Sequence, residues 1–191
     1  MKISGKFVLK VAGTLTIIAL VVAALLGVVD MVTRDKIDAI NVEKTNQALA
    51  AVAPEGAEFT PVELSDAAVA AAAAYGTLDS MYEMSTGGYA MKIVASGSQG
   101  SIEMIVGVDA NKALTGVSVV NHSETGGIGT KVINNDPNSA GTPVLDQFIG
   151  MSGAGSLVVG KTVTPISGAT VTTKGITAGC NAALSAVEAM G

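Results

Sequence analysis

LDSMYEMSTGGYAMKIVASGSQGSIEMIVGVDANKALTGVSVV, residues 78–120, is the stretch that sets the fold class. Short apolar and β-branched runs lie at Leu78–Met84, Tyr89–Ser96, Ser101–Val108 and Leu114–Val120. Between them stand Gly87-Gly88, Ser96-Gly97-Ser98 and Asp109-Ala110-Asn111, all turn formers. Runs of about 4–8 residues bounded by such breaks read as strands, and links this short join antiparallel neighbours. The stretch therefore predicts an antiparallel meander.

The flanks are helical. Upstream, residues 66–74 (DAAVAAAAA) form an alanine-rich run of high helix propensity with little to bury. Downstream, residues 134–138 (NNDPN) open a looser stretch with a short helix around Val144–Ile149 and a last strand at Leu157–Val163. The chain closes in a helix from about Thr172 to Met190, with Ile176, Cys180, Ala183, Leu184 and Val187 on or near one face. A small antiparallel sheet with helices packed on it is an α+β domain.

The N-terminus has another character. Val11–Val29 (VAGTLTIIALVVAALLGVV) holds no charge, close to the roughly 20 apolar residues that cross a hydrocarbon core. Lys2, Lys6 and Lys10 precede it; Asp30, Arg34, Asp35 and Lys36 follow. A basic start predicts an N-inside single pass in the cytoplasmic membrane, with everything after Asp30 on the extracytoplasmic face. A cleaved signal peptide shares the basic start and apolar run, but this run is long and lacks a small-x-small cleavage site just beyond it. Residues Lys36–Val52 continue with helical periodicity (Val42, Thr45, Leu49, Val52) up to Pro54. The expected layout is an anchor over 1–33, a helical stalk over 34–60 and a domain over 61–191.

Composition narrows the chemistry. In 191 residues with a net charge of −5 there is no basic footprint for nucleic acid. One cysteine, Cys180, and one histidine, His122, rule out a disulfide, a thiolate iron–sulfur cluster and a multi-His metal site built from this chain alone. No catalytic residue or metal ligand is assigned. Aromatics are 3% of the chain and Trp is absent, so few side chains could stack on a planar ligand.

The most informative motif is Ser167-Gly168-Ala169-Thr170-Val171-Thr172-Thr173, between a strand candidate and the C-terminal helix. A helix start offers free N–H groups and the positive end of the dipole to an anion. Gly168 and Ala169 leave the backbone bare, Thr170 supplies a hydroxyl, and Lys174 follows one turn later. On spacing alone, the same residues also fit a simple N-cap. A second motif is His122-Ser123-Glu124-Thr125-Gly126-Gly127-Ile128-Gly129, which alone could be a glycine-rich connector. Its glycines lack the third glycine and the strand–turn–helix context of a dinucleotide fingerprint.

Both motifs, in this order, resemble the FMN-binding domain family, in particular the G subunits of Rnf-type electron-transport complexes and the C subunit of the sodium-pumping NADH:quinone oxidoreductase. Ser-Gly-Ala-Thr is similar to that family's flavinylation motif. The resemblance implies that a flavin transferase places FMN on Thr170 as a phosphoester, using FAD and a divalent metal. The second motif looks like the family's His-x-Glu-Thr-Pro-Gly-Leu-Gly loop, with Gly126 in place of Pro and Ile128 in place of Leu. It implies that Glu124, Thr125, Gly127, Ile128 and Gly129 line a flavin pocket together with Ser167, Gly168, Ala169, Val171, Thr172 and Thr173. Thr164 stands where family members usually carry an acidic residue.

The function implied is that of a membrane-anchored electron carrier. It would serve as the G subunit of an ion-translocating ferredoxin:NAD oxidoreductase, beside other membrane and iron–sulfur subunits and in contact with lipid. The resemblance implies a redox subunit rather than an enzyme by itself. A stand-alone extracytosolic flavoprotein and a cofactor-free membrane-tethered adaptor are the competing readings. Among remaining residues, Tyr82 and Tyr89 are open between ring contact and core filling, and Lys131 between contact with the phosphate or the flavin and plain surface. Cys180 reads as a small buried hydrophobe; Asp109, Asp136 and Asp146 read as turn or cap residues.

Overall fold

The computed structural model describes residues 5–191, the Phe7 side chain excepted; Lys2 of the basic N-terminal cluster lies outside the described residues. Helix α1 runs over Gly5–Val52. Strand β1 (Phe59–Val62), helix α2 (Asp66–Ala72) and strands β2 (Thr77–Met84), β3 (Tyr89–Ser96), β4 (Ser101–Val108) and β5 (Leu114–His122) come next. Helix α3 (Gly129–Ile133), a 3₁₀ turn at Asp146–Phe148 and helix α4 (Thr170–Met190) complete the chain. The chain divides into two compact units, one up to Glu43 and one over Lys44–Gly191.

In the first unit α1 is apolar and exposed along its length, with Leu15, Ile17, Leu20, Leu25 and Leu26 each more than 60% accessible. It is long and apolar enough to cross a membrane. Just past the apolar run, Arg34 pairs with Asp30 one turn back at 2.6 Å, an exposed ion pair of small energetic weight.

The second unit is built on one five-stranded antiparallel sheet in the order β1-β2-β3-β4-β5. The expected meander is present, with β3 and β4 at the predicted bounds. Alternation sorts the side chains between two faces. Leu78, Met91, Ile93, Ile102, Met104 and Val106 face a core shared with α2 and α4. Met84, Ala90, Ile105 and Val120 face a smaller cluster with Ala48, Leu49 and Val52 from the end of α1. The compact unit therefore takes in residues 44–52, within the segment expected as a stalk. The approach there is close: a Cβ on Gly107 would collide with the Val52 backbone, and the Thr115 hydroxyl donates to the Val52 carbonyl at 2.5 Å.

Helix α4 is the central helix, buried over most of its length and lying on β3 and β4 beside α2. It presses directly on strand backbone, since a Cβ on Gly175 would come within 2.6 Å of the Ser96 carbonyl. The predicted burial of Ile176, Cys180, Ala183, Leu184 and Val187 is observed. Burial pushes the Cys180 thiol pKa far up, so it behaves as an inert apolar group.

Several expectations are corrected. Residues 66–72 do have something to bury: Ala68 and Ala72 are fully enclosed against α4, and Ser65 caps the helix through the Ala68 N–H. Leu157–Val163 is not a strand. The amide N–H groups of Lys161, Thr162 and Val163 converge on the Val158 carbonyl, with Gly160 at φ 86° turning the run back on itself. The Leu157 backbone pairs with the Asn181 side-chain amide instead of a neighbouring strand. The short helix near Val144–Ile149 shrinks to the 3₁₀ turn, and α4 begins two residues before the expected Thr172.

Candidate functional site

The second motif leaves β5 and the attachment motif enters α4, and the fold brings them together. Glu124, Thr125, Ile128, Gly129, Gly168, Ala169, Thr170, Val171 and Thr172 line one cavity of about 140 Å³, joined by Ser98 from the β3–β4 turn. Three of the expected residues stand outside its lining. Ser167 is exposed, Gly127 sits at φ 75° and donates its N–H to the Thr130 hydroxyl, and Thr173 is buried with its hydroxyl on the Ala169 carbonyl.

The start of α4 differs from an ordinary capped helix. Ala169 occupies the N-cap position (φ −114°, ψ 27°), so no side chain caps the helix there. Thr173 N–H to the Ala169 carbonyl, at 3.0 Å, is the first bond of the helix. Among the described residues the N–H groups of Thr170, Val171 and Thr172 meet no protein acceptor. Helix ends satisfy such donors with caps, water or ligand. Here the Ser and Thr of the motif do not serve as caps, so the simple N-cap reading fails. Gly168, at φ 82°, makes the left-handed turn that brings Thr170 to the first helical position, where its side chain is exposed.

Glu124 holds the cavity wall together. Its Oε1 accepts from the N–H groups of Ser98 (2.7 Å) and Gln99 (3.3 Å), and its Oε2 accepts from the Thr172 hydroxyl (2.5 Å). One side chain thus ties the β3–β4 turn, the loop after β5 and the first turn of α4. Burial pushes its pKa up, but the bonds from Thr172, Ser98 and Gln99 and the neighbouring His122 outweigh that, and the carboxyl stays below its ordinary range. Glycine is required on both sides: a Cβ on Gly97 would land on Glu124 Oε1, and one on Gly129 on Glu124 Oε2 and Thr172 Oγ1. Its donors already occupy the carboxylate, which makes Glu124 a structural tie and not a free base.

Ile128 and Val171, 50% and 54% exposed, form an apolar rim beside the exposed Thr170. Neither tyrosine reaches this cavity. Tyr82 packs with Phe59 in the cluster under the end of α1, while Tyr89 packs against the main core near the C-terminal end of α4. Both fill core. Lys131 and Lys174 are exposed and do not line the cavity. Asp109 is the turn residue expected, accepting from the N–H groups of Asn111 and Ala113. Sequence reasoning missed Ser98 and Gln99, because a hairpin turn gives no hint of which distant carboxylate its N–H groups will meet.

The elements that form this cavity coincide with a known domain. Residues 97–185 match the FMN-binding domain family, and residues 1–52 match the RnfG N-terminal region. Over those spans the chain is similar to an FMN-binding domain and to an RnfG N-terminal region. The G subunit of the Na⁺-translocating ferredoxin:NAD⁺ oxidoreductase complex of Acetobacterium woodii is 29% identical over 197 residues, covering 94% of this chain and 91% of that protein. The G subunit of the ion-translocating oxidoreductase complex of Methanosarcina acetivorans is 28% identical over 191 residues, covering 97% of each.

Proposed function

We propose that this chain holds FMN as a phosphoester on Thr170 and acts as the G subunit of an Rnf-type ion-translocating ferredoxin:NAD oxidoreductase. The observation that supports attachment most is the uncapped start of α4. Three backbone N–H groups without a protein acceptor stand beside an exposed threonine hydroxyl, at the positive end of a 21-residue helix. A phosphate ester there answers both the free donors and the dipole. The residues present fit the group: Gly168, Thr170, Val171 and Thr172 would hold the phosphate, and the apolar rim of Ile128 and Val171 would meet the ring. The cofactor supplies exchange of one or two electrons when bound.

Formation of the ester joins Thr170 Oγ to phosphorus, breaks the phosphoanhydride of FAD, releases AMP and frees the hydroxyl proton. Among the described residues no base is hydrogen-bonded to that hydroxyl, and Glu124 is already engaged. Activation of the oxygen therefore falls to an external flavin transferase with its divalent metal. The lysines before the apolar helix favour an N-inside orientation, which sets the flavin domain on the extracytoplasmic face. A membrane tether confines the domain to two dimensions and raises its effective concentration toward the membrane and iron–sulfur subunits of the complex. Full-length similarity to two G subunits supports that assignment over a lone flavoprotein.

The test is peptide mapping of protein made with a flavin transferase. Cleavage after Lys161 and Lys174 isolates Thr162–Lys174. That peptide is expected to carry the flavin, with fragment ions assigning it to Thr170. Flavin on any other peptide would overturn the attachment site.

A further inference from the structure

The attachment segment is held from outside by a side chain that no motif points to. Gln147, in the 3₁₀ turn, accepts the Thr164 N–H at 2.8 Å through Oε1 and donates from Nε2 to the Thr164 carbonyl at 3.0 Å. The same Nε2 donates to the Val144 carbonyl at 2.7 Å. One N–H and two carbonyls around the amide fix which end is oxygen and which nitrogen. The pair imitates one rung of a β-ladder on a segment that, among the described residues, pairs with no strand of the sheet. Asn138, 8% exposed, adds a longer bond of 3.4 Å to the same Thr164 carbonyl, and its own Oδ1 accepts from Ala140 and Thr142.

The residues after Thr164 transmit this hold to Thr170. Pro165 fixes φ. Ile166 is buried at 6% exposure and its carbonyl accepts the Ala169 N–H at 3.0 Å, closing the turn that delivers Thr170 to the helix start. The acceptor loop is thus fastened at α4 on one side and at Thr164 on the other. Only Gln147 and Asn138 supply side-chain bonds to the Thr164 end among the described residues.

We infer that Gln147, supported by Asn138, is a positioning residue for flavinylation: it presents the Ser167–Thr170 segment in the conformation that the transferase modifies. The inference rests on the attachment proposed at Thr170 and adds a residue distant in sequence from both motifs. Gln147 does not line the cavity and its hydrogen bonds go to Val144 and Thr164, so its action passes through the backbone of Thr164.

The experiment compares single-turnover flavinylation rates of full-length wild type, Gln147→Leu, Gln147→Glu and Asn138→Ala, in detergent, with transferase, FAD and Mg²⁺. Amide hydrogen exchange over the peptide Thr162–Lys174 is followed in the same samples. We expect Gln147→Leu to be modified about tenfold more slowly, to reach the same final extent, and to exchange faster at the Thr164 end. Loss of about 1.4 kcal/mol of preorganisation corresponds to that factor. Gln147→Glu is expected to recover rate relative to wild type as pH falls, because a protonated carboxyl again donates and accepts. A merely structural loss would lower the final extent and leave no pH-dependent recovery. Equal rates and equal exchange in wild type and Gln147→Leu would overturn the inference while leaving Thr170 as acceptor. Absence of modification in wild type would instead sink the attachment reading itself. If Gln147→Leu does not fold, the Gln147→Glu pH profile and Asn138→Ala decide the matter.

Discussion

Glu124 shows how one residue can build a site without taking part in its chemistry. It gathers two backbone N–H groups from the β3–β4 turn and a hydroxyl from α4, so its removal loosens both of these and its own loop at once. Bonds to a buried carboxylate contribute about 1.5–3 kcal/mol. Glu124→Ala is accordingly expected to lose about 2–3 kcal/mol in denaturant titration of the detergent-solubilised chain. The pH dependence has a definite sign. The folded-state pKa lies below the ordinary value of 4.5, so this contribution is complete above that value and is lost as pH falls through the lowered one. Glu124→Gln is expected to flatten the acid side of the Tm–pH curve, and an unchanged acid slope would contradict the assignment. Gly129→Ala drives a methyl onto the same carboxylate and onto Thr172, at an expected cost of about 1–3 kcal/mol by thermal denaturation. The two motifs were legible as sequence because their residues are local. The partners of Glu124 were not, since Ser98 and Gln99 lie 26 and 25 residues before it and Thr172 lies 48 after it, and only the fold joins them.

At the scale of elements, the strands were readable because their alternation and their Gly, Ser and Asn breaks agree. Phe59–Val62 was missed: it is four residues long and contains Pro61, which the open edge of the sheet tolerates. Leu157–Val163 misled because Val159 and Val163 pack on the core while Gly160 turns the backbone and Asn181 takes the hydrogen bonds of Leu157. The end of α1 offers a direct energetic check. Leu49 is 4% exposed beneath the sheet, and Leu49→Ala is expected to destabilise by about 2–5 kcal/mol in chemical denaturation, whereas an exposed stalk position would cost almost nothing. The bare start of α4 makes a further prediction. A phosphoester at its first residue places negative charge where the dipole favours it, typically by about 0.3–2 kcal/mol. Modified protein is expected to melt at a higher temperature than unmodified protein in calorimetry, by a margin that narrows as salt is raised.

For the molecule as a whole, an apolar N-terminal helix, a sheet domain and a single covalent redox group make up the proposed tethered electron carrier. The orientation is open to direct labelling. Cys180 is buried, so a thiol introduced by Ser139→Cys at an exposed loop position is the reactive one. A membrane-impermeant maleimide is expected to label Ser139→Cys in intact cells from outside; labelling only after lysis would reverse the topology. Covalent FMN on Thr170, on which the redox role depends, is best tested by intact mass with in-gel fluorescence, on protein made with and without a flavin transferase. A transferase-dependent gain of one FMN and a fluorescent band are expected in wild type, both lost in Thr170→Ala. An unlabelled but folded wild type, or a Thr170→Ala variant that still gains the flavin, would contradict attachment at this residue.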